Sequence, residues 1–337
     1  MMISRAIGFE KGFQIAGGNQ FETFEIMLPK LSAQDILVKT LAVSVNPVDT
    51  KLRQNPKGIK QPHILGFDSV GIITELGEKV TDLAVGDRVI FAGTTKRFGS
   101  NSEHQVVDSR ITAKLPEDFP IDEMAALPLT FLTAYEALFE KMNLIPEEAA
   151  NTGELLIING AGGVGSMAIQ LAKWAGMTVL ATASRKESRA WVKEMGADHL
   201  IDHHQNITEQ VHKLGFDFVP NILILHSTDQ YFNEMAALVA PFGHIASIVE
   251  TSHEINLRLL KNKAASFDWE YMFAKTDYDF KVESQGEILA KLIQLLQAKK
   301  IQSTLTKVLP GFSPETFFRA HQMIEDDQMI GKLVIHF

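Results

Sequence analysis

Apolar positions along this chain follow two different rhythms. Up to about residue 125 they come in short β-branched runs separated by turns: "DILVKTLAVSV" at 35–45, "VGIITELG" at 70–77, and "RVIFAG" at 88–93 after a Gly-Asp turn. Little of this stretch has helical spacing. From 127 the pattern changes. "LPLTFLTAYEALFEKM" at 127–142 is helical, and a polar connector covers 145–153. Beyond it, apolar strands at 154–160, 177–184, 198–202, 221–227 and 243–250 alternate with amphipathic helices. That alternation predicts a parallel, doubly wound sheet. The remainder predicts a helix at 286–300, a strand at 304–309, a helix opened by Ser313 and Pro314, and a closing strand at 331–337. The expected fold is therefore α/β in two domains, one over 127–273 and a β-rich one made of 1–126 and 274–337.

The first predicted strand of the alternating region runs into "INGAGGVGS". Gly160, Gly162 and Gly165 fit G-x-G-x-x-G between a strand and a helix, the context that gives this motif its meaning. Gly160 allows the tight turn, Gly162 lets backbone N–H groups approach a pyrophosphate, and Gly165 lets the helix lie close to the strand. Gly163 and Val164 open the helix, whose N-terminus attracts an anion. This predicts a Rossmann dinucleotide-binding domain. The next strand ends in Ser184-Arg185-Lys186, with no carboxylate to accept from a ribose 2′-hydroxyl. A hydroxyl and two cations suit a 2′-phosphate, which favours NADPH; the alternative is a solvated basic turn that tolerates NAD.

Composition narrows the remaining classes. The 337 residues carry a net charge of −9 and are 45% hydrophobic, so a phosphate-backbone partner is not expected. No cysteine is present, which excludes disulfides, thiolate nucleophiles and sulfur-ligated zinc. The first residues lack an apolar run of signal-peptide length, and Gln170, Lys173 and Gly176 interrupt the apolar stretch 163–183. A cytoplasmic protein with no membrane partner is expected. "ADHLIDHH" gathers His199, Asp202, His203 and His204 without an ordered ligand spacing, so these read as exposed loop residues; whether they bind a metal stays open.

Together with the glycine turn, "VSVNPVDTK" at 43–51, "HILGFDSVG" at 63–71 and "LPLTFLTAYEAL" at 127–138 resemble the medium-chain dehydrogenase/reductase superfamily over essentially the whole chain. Within it the chain is most similar to the zinc-free quinone oxidoreductase branch and the zinc-type alcohol dehydrogenase-like subgroup. The resemblance implies a GroES-like β-rich catalytic domain, built from both chain ends, beside the Rossmann NADP(H)-binding domain. Zinc enzymes of the superfamily carry Cys where this chain has Asn46, His where it has Phe67, and usually a third ligand near Leu129–Thr130. Their cysteine-rich structural-zinc lobe has no counterpart either, so no metal is expected.

By the same resemblance, Asn46 and Thr130 lie near the nicotinamide, as candidate catalytic residues that orient it or an acceptor oxygen. Lys51 is a candidate proton donor or a rim charge, and Asp49 stabilises the turn or takes part in catalysis. His226 and Ser227 are expected at the adenosine, with Ile248, Val249, Phe273 and Gly331–Lys332 as further cofactor contacts. Phe267, Trp269, Met272 and Phe273 either line an apolar cleft or belong to the core. The resemblance implies NADPH-dependent hydride transfer to a small apolar quinone or α,β-unsaturated carbonyl. The alternatives are an alcohol or carbonyl dehydrogenase and a non-catalytic NADPH-binding protein. A homodimer paired through "GHIASIVE", 243–250, taken as the last strand of the sheet, is also expected.

Overall fold

The computed structural model describes residues 2–56 and 62–337. The chain divides into two compact units: Met1–Leu129 with Phe273–Gln297 and Gln302–Phe337, and Thr130–Met272 with Ala298–Ile301.

The first unit is built on β1 (Ile3–Gly8), β2 (Glu22–Met27), β3 (Asp35–Val45), β4 (Asp68–Leu76), β5 (Arg88–Phe91), β6 (His104–Asp108) and β7 (Thr112–Leu115). β3 is the long central strand. It pairs antiparallel with β4 on one side and with β6 on the other, as β-branched runs with one buried face do. β1 and β2 form a separate antiparallel ribbon. A helix, Pro47–Gln54, follows β3 directly, in a region where no helix was expected. Its start is local chemistry. Pro47 occupies the first helical position, and the Asp49 carboxylate accepts the Asn46 N–H at 2.8 Å, one half of a capping box.

The second unit holds β8 (Glu154–Ile158), β9 (Thr178–Thr182), β10 (His199–Ile201), β11 (Val219–Ile224), β12 (Val239–Ser247) and β13 (Ser266–Trp269). Every pairing is parallel, and the order is β10-β9-β8-β11-β12-β13. Numbered within the unit this is 3-2-1-4-5-6, the order of two mononucleotide-binding halves meeting beside the first strand. Leu155 to Ile158 are all buried, as expected for strands covered on both faces. One expectation is corrected. The stretch 243–250 is not an edge, because His244 to Ser247 pair with Ser266 to Trp269, so β13 ends the sheet. Phe267 packs edge-to-face on Phe232 and joins this unit's core. The predicted helix 127–142 is α-helical over Pro128–Tyr135 and then widens into a π-helical turn, Glu136–Lys141.

The chain closes the first unit with β14 (Leu305–Pro310) and β15 (Lys332–His336), with β15 antiparallel to β3. Between them the helix Pro314–Glu325 begins as predicted, with the Ser313 hydroxyl accepting the Thr316 N–H at 3.2 Å.

Candidate active site

In the second unit, β8 ends in a turn whose conformation only its own residues allow. Asn159 adopts φ +69°, and its N–H is held by the Thr182 hydroxyl at 2.8 Å. The Gly160 N–H bonds the Thr182 carbonyl at 3.1 Å. A Cβ on Gly160 would stand 2.9 Å from the Ala181 Cβ, and one on Gly165 would stand 2.3 Å from the Asn159 carbonyl oxygen. Those two glycines are required by the protein itself. Gly162 differs: a Cβ there meets only the Asn159 side chain, nearest at 3.3 Å, a tight contact that a small shift of that amide would relieve. The helix Gly163–Trp174 starts at this point without a side-chain cap, leaving the N–H groups of its first turn to other partners. The Ser166 hydroxyl donates to the Gly162 carbonyl at 2.8 Å and accepts from the Trp191 indole at 2.7 Å, which fixes the turn against the next helix.

The strand ends beside this turn carry the remaining candidates. β9 leads to half-buried Ser184 and exposed Arg185 and Lys186. β11 leads to His226 and Ser227; Ser227 takes φ +48° and its hydroxyl lies 2.7 Å from His226 Nδ1. Ile248 and Val249 follow β12, where the Ile248 N–H bonds the Ile224 carbonyl at 3.3 Å and the Val249 carbonyl accepts from Thr228 at 2.6 Å. The structure thus gathers Gly160, Gly162, Gly163, Val164, Gly165, Ser184, Arg185, Lys186, His226, Ser227, Ile248 and Val249 at the carboxyl ends of one parallel sheet.

The first unit holds a different arrangement. Ser44, opposite Asp68 across β3 and β4, shares a strand face with Asn46 two residues on; Leu333, opposite Val45, puts Lys332 beside Asn46. Three strand ends therefore converge. Asn46, Asp68 and Lys332 are 1%, 0% and 4% exposed. The Asn46 amide donates to Asp68 Oδ2 at 2.8 Å and to the Ser44 carbonyl at 3.4 Å. Lys332 Nζ donates to Asn46 Oδ1, to Asp68 Oδ2 at 3.2 Å and to the Val45 carbonyl at 3.4 Å. Asp68 Oδ1 accepts the Leu129 N–H at 2.6 Å, anchoring the first turn of the helix that carries the buried Thr130. Asp49 completes the cluster, accepting from Asn46 N and, at 3.0 Å, from Gly66 N. Burial pushes its carboxyl up to about 7, against the lowering effect of those two N–H donors and of Lys332.

Lys332, expected at the cofactor, has its three donors directed into this cluster, and both Asn46 amide hydrogens are engaged there as well. Phe273 packs against Phe67 with ring centroids 4.6 Å apart, inside the first unit. Lys51 is exposed. Among the described residues, no group of three or more His, Asp or Glu is placed to hold a metal, the 199–204 segment included.

Two family models match the chain, an alcohol dehydrogenase GroES-like domain over residues 32–117 and a zinc-binding dehydrogenase domain over 163–267. A zinc-type alcohol dehydrogenase-like protein of Staphylococcus aureus is 41% identical over 334 residues, 98% of this chain and 99% of that protein. The chain belongs to the medium-chain dehydrogenase/reductase family. The crystal structure of a putative zinc-dependent alcohol dehydrogenase from Rhizobium etli matches it with TM-score 0.93 at 35% identity, covering 100% and 99% of the two chains. An NADPH-dependent alkenal/one oxidoreductase of Arabidopsis thaliana is 28% identical over 327 residues, 92% of this chain and 74% of that protein. This oxidoreductase joins a GroES-like domain to a Rossmann-like parallel sheet. No helix among the described residues is long and apolar enough to cross a membrane.

Sequence reading left two features unassigned. Asp68 stands inside the quoted "LGFDSVG" yet becomes the hub of the buried cluster only through pairing of β3, β4 and β15. Glu270, buried just after β13, hydrogen-bonds the buried Glu136 of the π-helical turn; burial first, and then the Glu136 charge, push its carboxyl up to about 9. Only the unusual placing of an acid between aromatic residues, "WEYMF", hints at it.

Proposed function

We propose that this oxidoreductase uses NADPH to reduce a quinone or an α,β-unsaturated carbonyl, without a catalytic zinc. The observation that carries the cofactor is the helix start without a side-chain cap behind the glycine turn, followed by a strand exit bearing Arg185 and Lys186 where an NAD site has a carboxylate. Gly160, Gly162, Gly163, Val164 and Gly165 hold the pyrophosphate in this reading. Ser184, Arg185 and Lys186 meet the 2′-phosphate, His226 and Ser227 the adenosine, and Ile248, Val249 and Phe273 the remainder. When bound, NADPH supplies a hydride.

A catalytic zinc takes three protein ligands and an open position. The residues here do not fit one. Phe67 offers no ligand atom, the Asn46 amide is bonded to Asp68 and Lys332, and an ammonium group already meets the Asp68 carboxylate. A divalent cation beside that ammonium would face like-charge repulsion in a buried site.

Without a metal, an isolated ketone receiving hydride builds a full alkoxide, which neutral donors stabilise weakly. A conjugated acceptor spreads the charge, so one hydroxyl such as that of Thr130 suffices. Asn46 acts as a positioning residue, holding Asp68 and Lys332 in register, and Lys51 or solvent delivers the proton. The name of the plant alkenal/one oxidoreductase supports the same substrate class. Stopped-flow oxidation of bound NADPH against a panel of quinones, enones, ketones and secondary alcohols tests the proposal. Rapid turnover with the conjugated acceptors is expected, and Thr130→Ala slows the hydride step more than it weakens NADPH binding. Oxidation of simple alcohols with no enone or quinone reduction would refute it, and no turnover with any acceptor would point to a binding protein.

The chain is further read as a homodimer. Its sheet edge is β13, with Trp269 exposed on that edge strand, and an unpaired edge of this kind favours association. Sedimentation at micromolar concentration checks it.

A further inference from the structure

The rim of the parallel sheet carries more charge than the cofactor assignment uses. Ala183 N bonds the Ile201 carbonyl at 2.9 Å, so β9 and β10 release their chains side by side: Arg185 leaves one, His203 the other. β8 and its glycine turn lie on the far side of β9, and β11 lies beyond β8, placing His226 along the same edge. The His203 and His204 rings lie with centroids 4.4 Å apart, tilted by 46°. His226 and Arg185 both lie near enough to act electrostatically on the half-buried His203. In a protein of net charge −9, this is a local concentration of basic groups.

We propose that His203, leaving β10 beside the Arg185 exit of β9, forms with Arg185 an ionisable cradle for the 2′-phosphate and so makes cofactor selection pH-dependent. The inference rests on the NADPH reading above and extends it to a residue outside the glycine turn and the β9 tip.

The groups acting on His203 come from each neighbouring segment. Burial lowers its basicity most, then the adjacent His204; Asp202 opposes this, and His226 and Arg185 add smaller lowering effects. Asp202 is itself committed, accepting the His204 N–H and the Gln205 amide at 3.0 Å each. In the free protein, therefore, burial first and then the neighbouring His204 disfavour the protonated form of His203. A phosphate dianion favours that form, and the imidazole takes up a proton on binding. The sign follows. NADPH affinity rises as pH falls from 8, until the phosphate begins to protonate near its own pKa of about 6 and the gain stops. NADH has no such group, so its affinity stays flat.

The test is a fluorescence titration of NADPH and NADH between pH 6 and 8.5, on the wild-type chain, His203→Gln, His226→Gln and Arg185→Ala, with 2′,5′-ADP as competing probe. One charge-assisted hydrogen bond is worth roughly tenfold or more in affinity, so the NADPH-over-NADH ratio should fall about tenfold across this range in the wild type. His203→Gln should flatten that slope and leave NADH binding unchanged, whereas His226→Gln, at the adenosine, should weaken both cofactors alike. Arg185→Ala should weaken NADPH at every pH and keep the slope. A strong NADPH preference with the wild-type slope intact in His203→Gln would overturn the histidine cradle while leaving the cofactor reading standing. Equal affinity for NADH and NADPH throughout would overturn both.

Discussion

The Lys332 cluster and the Arg185 rim are both gatherings of charge, and they are built on opposite plans. Around Lys332, each of the donors and carboxylates described meets a partner from its own unit, at the buried ends of three antiparallel-paired strands. Around Arg185, cations stand exposed at the ends of parallel strands, beside a helix start with no side-chain cap. A closed network of this kind holds geometry; exposed basic groups at strand ends are where the proposed phosphate contacts lie. The difference teaches which substitutions should damage folding and which should damage binding.

The largest effect is expected on the closed side. Lys332→Met leaves Asp68 buried without its counter-charge, and breaking a buried pair in this way typically costs about 3–5 kcal/mol. Urea unfolding should show that loss, and adding Asp68→Asn should recover part of it. Arg185→Ala is the mirror experiment. Stability should move by no more than about 0.5 kcal/mol, as for ordinary surface changes. NADPH affinity should drop by about 1.5–3 kcal/mol, with NADH hardly touched, in parallel calorimetric titrations. If Arg185→Ala destabilised the fold as much as Lys332→Met, the contrast would collapse.

The glycines sharpen the same division within a single turn. Gly165→Ala puts a methyl group 2.3 Å from the Asn159 carbonyl, a backbone atom that cannot step aside. Overpacking of this sort costs about 1–3 kcal/mol, visible in thermal unfolding. Gly162→Ala should leave stability near wild type and appear only as weaker dinucleotide binding. Equal destabilisation by the two would mean that Gly162 is a structural glycine after all.

A smaller effect tests the buried acids of the second unit. Glu270 has its folded carboxyl raised to about 9 from an ordinary 4.5, so between those values the folded chain binds more protons than the unfolded one. Stability must then fall as pH rises through that window. Glu270→Gln mimics the protonated form and removes the slope. Its melting temperature should exceed wild type by a few degrees near pH 8.5 and match it near pH 4.5. A gain that is independent of pH would argue against a shared proton between Glu136 and Glu270.

How far these features could be read from the chain depended on sequence distance. The parallel strands were legible because Leu155–Ile158 and Ile222–Ile224 are short apolar runs flanked by turn residues, and the glycine turn carries its own spacing rule. β13 was not legible, since "SFDW" is four residues of mixed polarity that make a strand only against β12. Nothing local shows that an antiparallel pairing puts Lys332 beside Asn46, 286 positions away. His203 was visible only as one of several clustered histidines. Its meaning comes from β9, which reaches the same rim.

The central claim, reduction of a conjugated acceptor by NADPH with no zinc, meets its most direct test in one preparation. Purified chain is dialysed against a strong chelator, its metal content is measured, and single-turnover oxidation of bound NADPH by a quinone and an enone is followed on that same sample. The account predicts full hydride transfer with no stoichiometric zinc. A chain that loses turnover on dialysis and regains it with one zinc per chain would contradict it.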